Sequence, residues 1–146
     1  MPEKQFIVSI PGIQINSSQE VSLAIILKCS VKLSSDWKCP HCAATRLRLK
    51  EYRIRTLKHA MWAGKMIYLD LKVPKFQCQQ CKRHFMAPVA GVLPKRRATE
   101  QFRQEVFHLH HGGITQKHLS ITHRIGAATV ERWYHDFVVY RVKELA

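Results

Sequence analysis

The hydrophobic positions of this chain change period along its length, from alternation before residue 86 to helical spacing after residue 98. Phe6, Ile7, Val8 and Ile10 read as a strand that Pro11-Gly12 turns back. Ile13 and Ile15 follow, Asn16-Ser17-Ser18 marks a turn, and Val21 to Val31 predicts a second strand, closed by Ser34-Ser35-Asp36. Residues 37–86 predict a long hairpin with arms at roughly Thr45 to Leu57 and Lys65 to Phe76, turning at Ala63-Gly64. In the second arm Ile67, Leu69, Leu71 and Val73 share one face, and Tyr68, Asp70 and Lys72 the other. The first arm shifts phase. Leu47 and Leu49 have one parity, Tyr52 and Ile54 the other, as a β-bulge near Lys50-Glu51 would produce. Pro74 predicts that the second arm ends there or lies at an edge.

Residues 87–97 carry Pro88, Gly91 and Pro94, then Lys95-Arg96-Arg97, and read as a basic linker. Phe102, Val106 and Leu109 then predict a helix over 99–110, capped by Thr99 and stopped by Gly112-Gly113. Thr115 caps a short second helix to about His123. Gly126 precedes a third, with Val130, Trp133 and Phe137 inward and Tyr134, Val138 and Tyr140 also assigned to core. The predicted class is α+β, with a β-rich domain over 1–86, the linker over 87–97 and a three-helix domain over 98–146.

Charge narrows the partner. The 146 residues hold 24 Lys and Arg against 10 Asp and Glu, a net +14, which points to a polyanion. The excess is local. Residues 39–99 carry fourteen Lys or Arg against Glu51 and Asp70, whereas 100–146 carry six against five acids. No apolar run is long enough to span a membrane. The start, Met1-Pro2-Glu3-Lys4, lacks the pattern of a signal peptide. Five cysteines, an odd number without such a leader, argue against a disulfide framework. A cytoplasmic location follows, and no small-molecule substrate or membrane partner is expected.

Cys39-Pro40-His41-Cys42 and Cys78-Gln79-Gln80-Cys81 are two C-x-x-C pairs at opposite ends of the hairpin. Each such knuckle presents two thiolates, and two knuckles complete a tetrahedron, so Cys39, Cys42, Cys78 and Cys81 predict a structural Zn(II) in a zinc-ribbon-like fold. With four thiolates no coordination position remains open for catalysis. A redox C-x-x-C would need a thioredoxin-like setting that is absent. His41, His59 and His84 are the nearest alternative ligands, and Cys29 reads as a buried apolar residue.

Arg46, Arg48, Lys50, Arg53 and Arg55 run along the first arm, with Lys58 and Lys65 around the turn and Lys72 and Lys75 on the second. Alternate strand residues repeat at about 6.6–6.8 Å, close to the phosphate spacing of one DNA strand. The row suits phosphate contact rather than sequence readout, the alternative being a merely solvated face. The stretch 114–134 has the layout of a helix-turn-helix, with Leu119, Ile125, Val130 and Trp133 inside and Ala127, Ala128, Glu131, Arg132 and His135 outside. Small residues let such a helix start sit deep in a major groove. There Arg132 would read guanine, and Thr129 or an alanine would touch a thymine methyl. Lys117, His118, His123 and Arg124, with Lys95, Arg96 and Arg97 of the linker, would reach phosphates. The same apolar spacing also occurs in any small helical bundle. His108, His110 and His111 read as a solvated or capping feature.

The order Ile10-Pro-Gly-Ile13, Cys-Pro-His-Cys, Arg55-Thr-Leu-Lys-His59, Gly64 and Phe76-Gln-Cys-Gln-Gln-Cys-Lys-Arg-His-Phe85, followed by the helices, resembles the N-terminal region of insertion-sequence transposases of the ISL type, family three. The resemblance implies a zinc-binding domain and a helix-turn-helix that bind terminal inverted repeats of double-stranded DNA, bacterial nucleoid association, and a second copy of the chain as partner. In that family a later RNase H-like domain carries three catalytic acids. This chain stops at Ala146, just after the third helix, so the expectation is a non-catalytic DNA-binding part of a transposase. A stand-alone transcriptional regulator or transposition inhibitor, and a zinc-ribbon scaffold for an acidic protein, are the alternatives.

Overall fold

Five strands precede three helices in the computed structural model, which describes residues 10–145, and side chains through residue 139. They are β1 (Ile13–Val21), β2 (Ala24–Val31), β3 (Leu47–Trp62), β4 (Lys65–Cys78), β5 (His84–Met86), α1 (Glu100–His111), α2 (Gln116–Thr122) and α3 (Ala127–Leu145). The strand expected at Phe6 to Val8 and the core role of Tyr140 lie outside the described residues.

The hairpin organises the sheet. Ala63 and Gly64, at φ 49° and 77°, make the two-residue turn whose twist matches paired strands. β3 and β4 pair antiparallel from Trp62↔Lys65 to Leu47↔Cys78. The sheet runs β1-β2-β4-β3, with β5 also on β4. β2 lies parallel to β4, matching Ile25, Leu27 and Cys29 with Ile67, Leu69 and Leu71. Leu57 joins them opposite Leu69. This face is buried, and the chain after β5 covers it through Ala87, Val89 and Val92, with Ile10. Each fully buried Leu contributes about 1.5–3 kcal/mol of transfer energy. Residues 87–92 are thus part of the sheet core.

Two expectations change. Asn16-Ser17-Ser18 is no turn: β1 continues through it, with a register shift between Ile15 and Ser17, and the turn falls at Ser22-Leu23. An edge strand exposed over nearly its whole length accepts polar residues, and Asn16 Nδ2 donates to Ser30 Oγ at 3.1 Å. Pro74 neither ends β4 nor lies at an edge. The β2 register stops at Lys72 and the β5 register starts at Lys75, so Pro74 falls in the gap. Its carbonyl accepts from Ala87 N–H at 3.0 Å. The N and C=O of one strand residue point the same way, so the missing donor faces this gap and costs no ladder bond.

The helices pack on the other side of the hairpin's turn end. Met66, Phe102, Val106, Leu119, Ile125, Val130 and Trp133 form a second buried cluster, with Met61 and Tyr68 against it. Both helix starts are capped as their sequences predict. Thr99 Oγ1 accepts from Phe102 N–H at 3.3 Å, and Thr115 Oγ1 from His118 N–H at 3.1 Å.

Candidate metal centre and basic groove

The two knuckles fold alike. Ala43 N–H donates to Cys39 C=O at 2.8 Å and Cys39 N–H to Ala44 C=O at 2.9 Å; Lys82 and Arg83 repeat this around Cys78 at 3.0 and 3.0 Å. Ala43 and Lys82, each just after the second cysteine, take left-handed φ values of 60° and 65°. Because one knuckle precedes β3 and the other follows β4, hairpin pairing brings them together. All four sulfurs lie within 4.8 Å of one another. Cys39 Sγ is 3.6 Å from Cys81 Sγ, and Cys42 Sγ 3.5 Å from Cys78 Sγ. A Zn–S bond of about 2.3 Å gives tetrahedral edges of about 3.8 Å, so the set fits Zn(II). The same distances exclude disulfides.

Backbone amides favour a thiolate at Cys78. Cys81 N–H and Gln80 N–H point at Cys78 Sγ from 3.5 and 3.4 Å and pull its pKa down to about 6, against its desolvation. His41 N–H serves Cys39 Sγ at 3.4 Å. Four cysteines complete the cluster, and the histidines lie elsewhere. Arg83 Nη1 donates to His41 Nδ1 at 3.4 Å, His84 is exposed on β5, and His59 is buried at a second β3 bulge against Thr99 Oγ1, 2.9 Å away. Cys29 is buried on β2, where desolvation and Asp70 push its thiol up to about 11.

The first β3 bulge, between Leu49 and Glu51, sets the basic row. It lets Arg48, opposite Gln77, share a face with Arg53 and Arg55, opposite Val73 and Leu71. Arg46, Arg48, Lys50 and Arg53 are exposed, and Arg53 pairs with Glu51 at 3.1 Å. Arg55 is half-buried, its Nη2 donating to the carbonyls of Leu93 at 3.2 Å and Arg96 at 2.8 Å.

A groove of about 530 Å³ gathers the residues expected separately in linker and helices. Lys95, Arg96, Arg97, Arg124, Gly126, Thr129 and Arg132 line it. Lys58 lines it too, and its Nζ donates to the Arg124 carbonyl in the α2–α3 turn. Sequence reasoning missed this role of Lys58, because only the folded β3 edge brings it there. Arg132 Nη2 donates to Thr129 Oγ1 at 3.1 Å. Ala127 and Ala128 are exposed on the first turn of α3, and Lys117 on α2.

His123 does not reach the surface expected for it. It is buried beside Phe102, ring centres 5.8 Å apart, because the ring fills core space under the α2–α3 turn. His110 Nδ1 meets the Ile114 carbonyl at 2.8 Å and His111 Nδ1 the Tyr134 hydroxyl at 3.1 Å, so these rings tie α1 to its neighbours. Among the described residues no helix is long and apolar enough to cross a membrane.

Comparison with protein families matches residues 35–81 to the zinc-finger of transposase IS204/IS1001/IS1096/IS1165. Neither the curated proteins nor the solved structures contain a match. The ribbon is similar to that transposase zinc finger, and its four-cysteine centre fits structural Zn(II).

Proposed function

We propose that this chain binds double-stranded DNA sequence-specifically, as the terminal-inverted-repeat recognition part of a transposase. In this reading α2 and α3 act as a helix-turn-helix, and α3 enters the major groove through its exposed first turn. The observation that carries it is the convergence of Lys58, Lys95, Arg96, Arg97, Arg124 and Arg132 on one groove at the start of that helix. The transposase zinc-finger match over 35–81 supports the same class of partner.

The roles divide by chemistry. Arg46, Arg48, Lys50 and Arg53 supply affinity through phosphates, with Arg55 behind them. Lys117 and Arg124 fix the register of the helices. Ala127, Ala128, Thr129 and Arg132 face base edges, and Arg132 is the one long donor fork among them. Binding rather than strand transfer is the activity assigned to these residues. A cytoplasmic, nucleoid-associated homodimer is the setting the reading implies. The test compares Arg132→Ala with wild type on a preferred duplex and on random duplex. A bidentate guanine contact predicts a loss of about 1–3 kcal/mol on the preferred duplex and little on the other. Equal loss on both would make Arg132 a phosphate contact and remove the readout claim.

A further inference from the structure

The segment between β5 and α1 is tied by hydrogen bonds to β3. Leu93-Pro94-Lys95-Arg96 forms a tight turn, with Arg96 N–H donating to Leu93 C=O at 3.3 Å. Pro94 occupies the position its ring prefers, and Lys95 takes a left-handed φ of 61°. A non-glycine residue keeps such a backbone only where its surroundings hold it. Arg55 does so, by donating to the carbonyls of Leu93 and Arg96. Beyond the turn, Lys58 N–H donates to Arg97 C=O, and Thr99 N–H to Lys58 C=O, both at 3.0 Å. Residues 97–99 therefore extend along the outer edge of β3. Lys95, Arg96 and Arg97 stand exposed on this frame, and none of them has an ion pair among the described residues.

The side chain of Lys58 reaches the other way, to the Arg124 carbonyl. One residue thus sets the spacing between the 93–97 turn and the start of α3. The groove lies between them, with Lys95, Arg96 and Arg97 on one wall and Arg124, Thr129 and Arg132 on the other. Arg103 also borders it, but its charge is committed to Glu100 and Asp136.

We propose that this groove seats one sugar-phosphate strand of a duplex and that the 93–97 turn enters the minor groove beyond it. The inference rests on the reading of α3 as the major-groove helix. In a duplex one backbone strand separates each major groove from the neighbouring minor groove. With α3 in the first, that strand fits the trough between Arg124 and the cations of the 93–97 turn, Thr129 and Arg132 stand at its major-groove rim toward the base edges, and the turn faces the second. A minor groove is about 6 Å wide and narrows over A·T runs, where its stronger negative potential draws Arg and Lys. A compact turn carrying three adjacent cations suits that groove. The partner chemistry is therefore an A·T-rich step beside the core site, chosen by groove width and potential.

Site selection from a random duplex pool, run in parallel with the wild-type chain and with Arg96→Ala/Arg97→Ala, tests this. Both side chains are exposed, so the double variant keeps the fold. The wild type is expected to enrich a core motif flanked by an A·T run, and the variant to keep the core and lose the flank. On the selected duplex, replacing the flank by I·C pairs preserves the minor-groove acceptors and leaves affinity within about twofold. Replacing it by G·C adds the minor-groove amino group and weakens binding about tenfold. A core motif without a flank, or equal weakening by I·C and G·C, overturns the minor-groove placement while leaving α3 as reader. Loss of the core motif in the wild type itself would instead remove the reading on which this rests.

Discussion

Cys39→Ser isolates the contribution of the metal centre. Cys39 is 2 % exposed, and its knuckle is the entry to β3. Serine replaces a thiolate by a hydroxyl that stays protonated near neutral pH, and its shorter C–O bond falls short of the sulfur position. The N–H of His41 also loses its sulfur acceptor. A structural Zn(II) site is worth about 10–16 kcal/mol, so one ligand of four carries about 2.5–4 kcal/mol by equal division. Zinc affinity then weakens about 10²–10³-fold. At about 2–4 °C per kcal/mol for a chain of this size, the melting temperature falls by about 5–15 °C. Competition against a chromophoric chelator reads the affinity and stoichiometry, and thermal melting with and without added zinc reads the stability. One zinc per chain and a zinc-dependent melt are expected for wild type, and the same zinc affinity for Cys29→Ala, since Cys29 lies outside the cluster. A Cys39→Ser chain with wild-type zinc affinity and melting would refute the reasoning.

Three further outcomes follow from the structure. Thr99→Ala removes the α1 cap and the hydroxyl beside His59, and should cost about 0.5–2 kcal/mol in denaturant unfolding; an unchanged midpoint would show the cap to be idle. Burial holds His59 below its usual 6.5, so just under that pH the folded protein binds fewer protons than the unfolded chain. Stability should therefore fall as pH drops below about 6.5, and His59→Asn, which keeps an acceptor for Thr99, should flatten that fall in melts from pH 7 to 5.5; identical slopes would count against it. Arg48→Ala should weaken all duplexes alike and lower the salt slope of binding by about one, whereas an unchanged slope would mark Arg48 as a solvated side chain.

Local chemistry made much of this fold legible. The alternation of Ile67, Leu69, Leu71 and Val73 sets the buried face of β4. The parity change between Leu49 and Tyr52 places the bulge at Lys50, and Thr99 and Thr115 start their helices as expected. Matched C-x-x-C spacing at the ends of one hairpin sufficed to place the four sulfurs together. What stayed hidden depends on partners distant in sequence. The parallel pairing of β2 with β4 joins segments separated by the whole of β3, and no local pattern encodes it. Pro74 and Asn16-Ser17-Ser18 misled because their strand positions cost nothing only once the gap beside β5 and the solvated edge of β1 exist. Val89 and Val92 lay in a stretch punctuated by proline and glycine, so their burial against the sheet could not be read from spacing. The groove shares that origin. Its cations come from β3, the 93–97 turn, the α2–α3 turn and α3, and the hub at Lys58 exists only after these segments meet.

The central claim is sequence-specific recognition of duplex DNA, and the direct measurement is the affinity ratio between a duplex selected from a random pool and a shuffled duplex of equal length. It is made with zinc-loaded chain near physiological salt. A single enriched motif, bound about 10³-fold or more tightly than the shuffled duplex, is the predicted result. Equal binding to both would leave only the basic surface acting on phosphates, and no binding to either would contradict the account outright.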